Sequence, residues 1–185
     1  MTLSLRLTLP AILISAALGF AAPAFAAGSN DSSEPKETET TKTCKKGEVW
    51  DEAKKACVKI EDSRLEDDTY YDNARELAYA GRYEDALAVL DRMAEGDSDR
   101  VLTYKGFATR KMGDMEKGLA YYNQAIALNP DNFLARSYLG QAYVELGRKD
   151  DAKAELDQIA SRGGADTWPW EALDIAIRTG KIAEF

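Results

Sequence analysis

The chain contains no histidine among its 185 residues. That absence removes Ser-His-Asp and Cys-His catalysis, histidine proton relays and most zinc sites from this chain alone. Basic residues are in deficit: 24 Lys and Arg stand against 32 Asp and Glu, a net charge of −8. Nonspecific nucleic-acid binding needs basic surface to displace counterions from phosphates, so nucleic acid is excluded as a partner class. The carboxylates show neither a pair placed on a cleft nor a calcium-loop spacing, so they read as solvated helix faces. No catalytic, metal or cofactor site is expected, and the chain does not read as an enzyme.

Long apolar runs are also scarce. The one present, LTLPAILISAALGF from Leu7 to Phe20, follows Arg6, the only charge before Asp31. Ala24-Phe25-Ala26 then places small residues at the −3 and −1 cleavage positions. A charged start, a short apolar run and an A-x-A site mark residues 1–26 as a secretory signal peptide, cleaved after Ala26. An uncleaved membrane anchor is the alternative, but the run falls short of the ~20 residues of a spanning helix and contains Pro10. Export to the periplasm is expected, with an extracellular location second, and no transmembrane segment remains after cleavage. Residues 27–43 hold no aromatic and no large aliphatic side chain. Such a segment cannot bury enough apolar surface to offset the entropy of ordering, which predicts a disordered linker.

Cysteine occurs twice, at Cys44 and Cys57, framing CKKGEVWDEAKKAC. An exported chain permits a disulfide, and two cysteines allow one intramolecular pairing. Closing a loop of this size contributes ~3 kcal/mol in the chain-entropy model. Gly47 suits a turn, and Val49 and Trp50 are placed to pair across a hairpin with Val58 and Ile60, giving a small stapled unit over 44–60. The pattern C-x2-G-x-V-W-D-x5-C-V is similar to the cysteine-framed hairpin of peritrophin-type chitin-binding modules. That resemblance implies carbohydrate contact through Trp50; a purely structural staple is the other reading.

The remainder, 61–185, repeats itself. Gly81, Gly113, Gly147 and Gly180 stand 32, 34 and 33 residues apart. Small residues recur in register at Ala74, Gly106 and Gly140, and again at Ala86, Gly118 and Ala152. Large apolar residues recur at Leu90, Tyr122 and Leu156, followed by Met93, Ala125 and Ile159. A period in the low thirties with small residues in mid-helix predicts stacked helix–turn–helix units, an all-α solenoid. Gly or Ala at a crossing lets the first (A) and second (B) helices of a unit approach, and Gly at the turn takes the left-handed conformation that ends helix A.

Residues 99–132, DRVLTYKGFATRKMGDMEKGLAYYNQAIALNPDN, resemble a tetratricopeptide repeat: Gly106, Gly113, Gly118, Tyr122, Ala125 and Pro130 fall on that family's signature positions. Leu139, Gly140, Tyr143, Ala152, Leu156 and Ile159 do the same in 133–166, and Ala74, Leu77, Gly81, Tyr83, Ala86 and Leu90 in 67–98. Lys105 and Thr109 depart from the pattern. A capping helix is expected over 166–179, with Trp168 and Trp170 packed on the third unit.

The resemblance implies a partner segment held along the concave face of the A helices. The family's groove positions fall on Tyr71 and Arg75 in the first unit; Arg100, Thr103, Tyr104, Phe107, Arg110 and Lys111 in the second; and Leu134, Ser137, Tyr138 and Gln141 in the third. Arg with Tyr and Phe is the composition of binding hot spots. The helix from Asp99 to Met112 carries a net +3, which favours an acidic segment in the partner. The expected function is a noncatalytic periplasmic adaptor or scaffold that binds another protein or peptide of the cell envelope. The alternative is a wall- or glycan-associated protein using the Cys44–Cys57 hairpin with Trp50. Self-association remains open for so short an array.

Overall fold

A computed structural model describes residues 37–182. The signal peptide read over 1–26 and the first part of the linker lie outside these residues. Seven helices follow one another from Asp67 onward: α2 (Asp67–Tyr79), α3 (Tyr83–Leu90), α4 (Asp99–Lys111), α5 (Met115–Leu128), α6 (Phe133–Glu145), α7 (Lys149–Ile159) and α8 (Trp168–Thr179). Ahead of them stand a single turn, α1 (Glu39–Lys42), and an antiparallel hairpin of β1 (Glu48–Asp51) and β2 (Ala56–Lys59). No helix among the described residues is long and apolar enough to cross a membrane.

The expected all-α solenoid of three helix pairs and a capping helix is present, and the repeated glycines explain its regularity. Gly81, Gly113 and Gly147 adopt φ of 74°, 99° and 73°. Each ends an A helix by the same pair of backbone bonds, for example Gly113 N to Arg110 O at 2.9 Å and Asp114 N to Thr109 O at 3.2 Å. This is the Schellman arrangement, which satisfies carbonyls the helix end would otherwise leave unpaired. Helix starts are capped by Ser98, Asp114 and Asn132, whose side chains accept from Val101, Lys117 and Ala135 N–H groups.

Within the second unit the A and B helices cross at Gly106 and Gly118. A methyl group on Gly106 would come within 2.6 Å of the Tyr122 ring, and one on Gly118 within 2.8 Å of Arg110 Cβ. The third unit differs. What fills the space beside Gly140 is Leu173 of α8, 2.6 Å from where a Cβ would stand. Leu156, the counterpart of Tyr122, is smaller and only half-buried, so the capping helix enters instead. Leu173 and Ala176 join Val144, Ala152 and Ile159 in a small apolar core.

Residues 37–43 correct the linker expectation. Thr40 is fully buried, and the segment is bound to α2 by hydrogen bonds rather than by apolar contact. The Glu76 carboxylate accepts from Thr38 N at 2.6 Å, Thr38 Oγ1 at 2.5 Å, Thr41 N at 3.1 Å and the Thr41 hydroxyl, while the Thr40 hydroxyl donates to Asn73. In the hairpin Val49 opposes Val58 and Trp50 opposes Cys57, closed by the Cys44–Cys57 disulfide with a Cα separation of 5.4 Å. Ile60 is not a ladder partner; it opens a short 3₁₀ turn, and with Val49 it enters the main core.

Arg82, the residue after the first turn glycine, fastens this module to the array. Its guanidinium donates to the carbonyls of Thr40 (3.1 Å), Cys44 (3.0 Å), Lys45 (2.6 Å) and Glu48 (3.2 Å), and to Asp85 Oδ2 at 2.9 Å. One planar donor group thus satisfies four carbonyls of a segment too small to hold its own shape.

Candidate interaction face

The A helices α2, α4 and α6 pack side by side, and the residues predicted to line a groove lie between them. Ten of the twelve are buried; Arg100 and Lys111 alone are partly exposed. The correction has a physical cause: consecutive units place large aromatics opposite one another, and these interdigitate. Tyr104 and Tyr138 have no exposed surface. Tyr71 meets Tyr104 edge-on at 5.6 Å, and Phe107 lies 4.9 Å from Tyr138. Thr103 donates to the Asp99 carbonyl and accepts from Asn132, Ser137 accepts from Gln141, and Leu134 is core. These are packing residues.

The predicted basic charge is likewise answered within the fold. Arg100 lies 2.7 Å from both Asp68 and Glu95, and Lys105 lies 3.0 Å from Asp91 and 2.8 Å from Asp97. Burial alone would push the Lys105 amine down, but its two carboxylate partners outweigh burial and raise it. Arg75 donates to Tyr104 Oη at 3.2 Å and pairs with Asp72 at 3.7 Å. Arg110 pairs with Glu145 at 2.7 Å. Among the described residues Lys111 makes no ion pair; its ammonium stands 5.8 Å from the Phe107 ring centre.

The A-helix face retains a partly exposed aromatic rim that positional transfer missed. Tyr79 stacks on Phe107 at 5.4 Å with rings 5° from parallel, Tyr83 meets Phe107 at 6.4 Å, and Trp168 comes within 6.4 Å of Tyr79. Trp168 was expected on the third unit; it reaches the first, whereas Trp170 packs with the third-unit core. The Tyr79 and Tyr138 hydroxyls are hydrogen-bonded. Burial pushes the Tyr138 phenol well above its usual value of 10.0, with Tyr104 and Tyr79 adding to the shift. Tyr122 is also raised by burial, against the opposing effect of Arg110. Both are therefore neutral at physiological pH.

No group of three or more metal-ligating side chains exists among the described residues. On the hairpin, Trp50 is half-buried and its indole N–H donates to Glu52 at 2.7 Å.

Residues 110–167 match the tetratricopeptide repeat family profile. The helix pairs, their period and their turns agree with that match. Residues 110–167 are tetratricopeptide-repeat sequence. The Photosystem I assembly protein Ycf3 of Rippkaea orientalis is 32% identical over 103 residues, an alignment covering 49% of this chain and 60% of the relative. The chain thus spans under two thirds of that relative's length. No solved structure matches the chain. Tetratricopeptide repeats are of the protein-interaction scaffold type, and the relative is by its name an assembly protein.

Proposed function

We propose that this protein is a noncatalytic scaffold of the cell envelope that holds a partner protein against the A-helix rim formed by Tyr79, Tyr83, Lys111 and Trp168 over the buried Phe107. The observation that carries this reading is the rim itself. Partly exposed aromatic side chains stand together on the A-helix face with Lys111, a cation that makes no ion pair among the described residues. Aromatics bury large area with little loss of side-chain entropy, and such clusters dominate interface energetics. Lys111 favours a carboxylate in the partner, which narrows the acidic-segment expectation to one contact. The named role of the Ycf3 relative supports a task in building a larger assembly, where a scaffold holds a component rather than converting it. The envelope location rests on the signal-peptide pattern of residues 1–26.

A photo-crosslinking residue placed at position 111 tests the face directly. The expected result is a specific adduct with one envelope protein, lost when Tyr79→Ala is added, and absent when the crosslinker stands at exposed Leu128. Equal labelling from both positions, or none from 111, would overturn the rim assignment.

A further inference from the structure

Arg110 is the most constrained charge in the array. Its side chain leaves the last turn of α4 and is 96% buried, at 4% relative exposure. Nε donates to Tyr122 Oη at 3.3 Å, and the Phe107 ring centre lies 5.8 Å from the guanidinium carbon. Gly118 stands against Arg110 Cβ, where any side chain would clash, so α5 passes close to the root of this arginine. Nη1 lies 2.7 Å from Glu145 Oε1 without the alignment of a hydrogen bond, and Nη2 has no hydrogen-bond partner. A buried guanidinium with unmade bonds is costly, because the desolvation of each donor goes uncompensated. Planar carboxylates match a guanidinium with two parallel bonds, and Glu145 provides only a misaligned approach.

Glu145 differs from Arg110 in its surroundings. It ends α6, its side chain is 31% exposed, and the next residue, Leu146, is at the surface. Glu145 is thus the partly exposed member of the pair, and its side chain stands at the solvent edge of the buried guanidinium.

We propose that the Arg110 guanidinium, with Tyr122 Oη beside it, is a carboxylate-binding site, and that Glu145 is a resident carboxylate which a carboxylate of the bound partner replaces. This rests on the partner lying against the A-helix face. The incoming group forms the paired bonds to Nη1 and Nη2 that Glu145 does not make, and the displaced Glu145 is hydrated at the surface. The partner carboxylate is either an acidic side chain or a chain end; both present the same planar anion.

The test uses the full chain and small carboxylates as probes. Glu145→Ala vacates the position, and Glu145→Gln does so with the shape kept should the alanine variant fold poorly. In either variant, propionate (the side-chain mimic) or N-acetylalanine (the chain-end mimic) is expected to raise Tm by about 3 °C, saturably, relative to chloride at equal ionic strength. The stronger of the two identifies the source. N-acetylalanine amide is expected to do nothing, and Arg110→Met in the same background abolishes the response. In the wild type the Arg110 Nε–H resonance is expected to move with the same probe at higher concentration, because tethered Glu145 competes. Equal Tm in carboxylate and chloride, or a response that survives Arg110→Met, overturns the site. The crosslinking experiment at position 111 is independent of either result, so failure of the site and failure of the face are distinguishable.

Discussion

The two ends of the array are closed by different chemistry. At the N-terminal end a module held largely by polar contacts covers α2: threonines on Glu76 and Asn73, four carbonyls on Arg82, and a disulfide that shortens the loop, with Val49 and Ile60 as its apolar anchors. At the C-terminal end an amphipathic helix buries Leu173, Ala176 and Pro169 against α6 and α7. Hydrogen bonds contribute little net energy each but are directional, so the first end is specified by geometry. Apolar burial is larger and non-directional, so the second end is specified by fit, here Leu173 in the space beside Gly140. A repeat stack needs both ends covered, and the two ends do so with different proportions of polar and apolar contact.

That contrast can be broken most forcefully at the apolar end. Leu173→Ala empties the space beside Gly140 and is expected to cost about 3 kcal/mol, read as a lower midpoint in urea. The polar end is expected to respond more locally. Arg82→Met leaves four carbonyls without their donor and costs about 2 kcal/mol. Its signature is faster amide exchange at Gly47 and Trp50, with α4 to α7 unchanged, because the module detaches without unfolding the array. Loss of protection throughout the chain would show that the two ends are not separable.

A smaller effect sharpens the picture of the middle. Tyr138 has a folded-state pKa raised above its unfolded value of 10.0, so its neutral form favours folding. That contribution is fully present below about pH 10 and is lost as pH rises through the folded value. Tyr138→Phe is therefore expected to lose less stability than wild type between pH 9 and pH 11, measured by denaturant unfolding at each pH. An identical alkaline slope would place the pH sensitivity elsewhere. Lys111→Glu has the smallest expected effect on folding, under about 0.5 kcal/mol, since the residue makes no ion pair among the described residues. Its expected consequence is loss of partner capture at unchanged melting.

The array was readable in advance because periodicity reports packing directly: a glycine every thirty-odd residues has one physical reason, and the Schellman turns at Gly81, Gly113 and Gly147 meet it. The candidate face was much less legible. Family positions identify which way Tyr104 and Tyr138 point, but whether they face a partner or each other depends on the neighbouring unit's side-chain size. Tyr79 and Trp168 are far apart in sequence and meet only in the folded stack. Composition gives no sign of the order in 37–43, because it reports apolar content, whereas Thr40 is buried by a hydroxyl bond to a helix residue more than thirty positions away.

The space beside Gly140 bears on how the array could change in length. In the second unit the glycine receives a tyrosine from its own B helix; in the third it receives a leucine from the terminating helix. A duplicated copy of residues 99–132 placed between the second and third units would carry its own tyrosine and leave this contact intact. Leu173 thus holds at Gly140 the place that Tyr122 holds at Gly106.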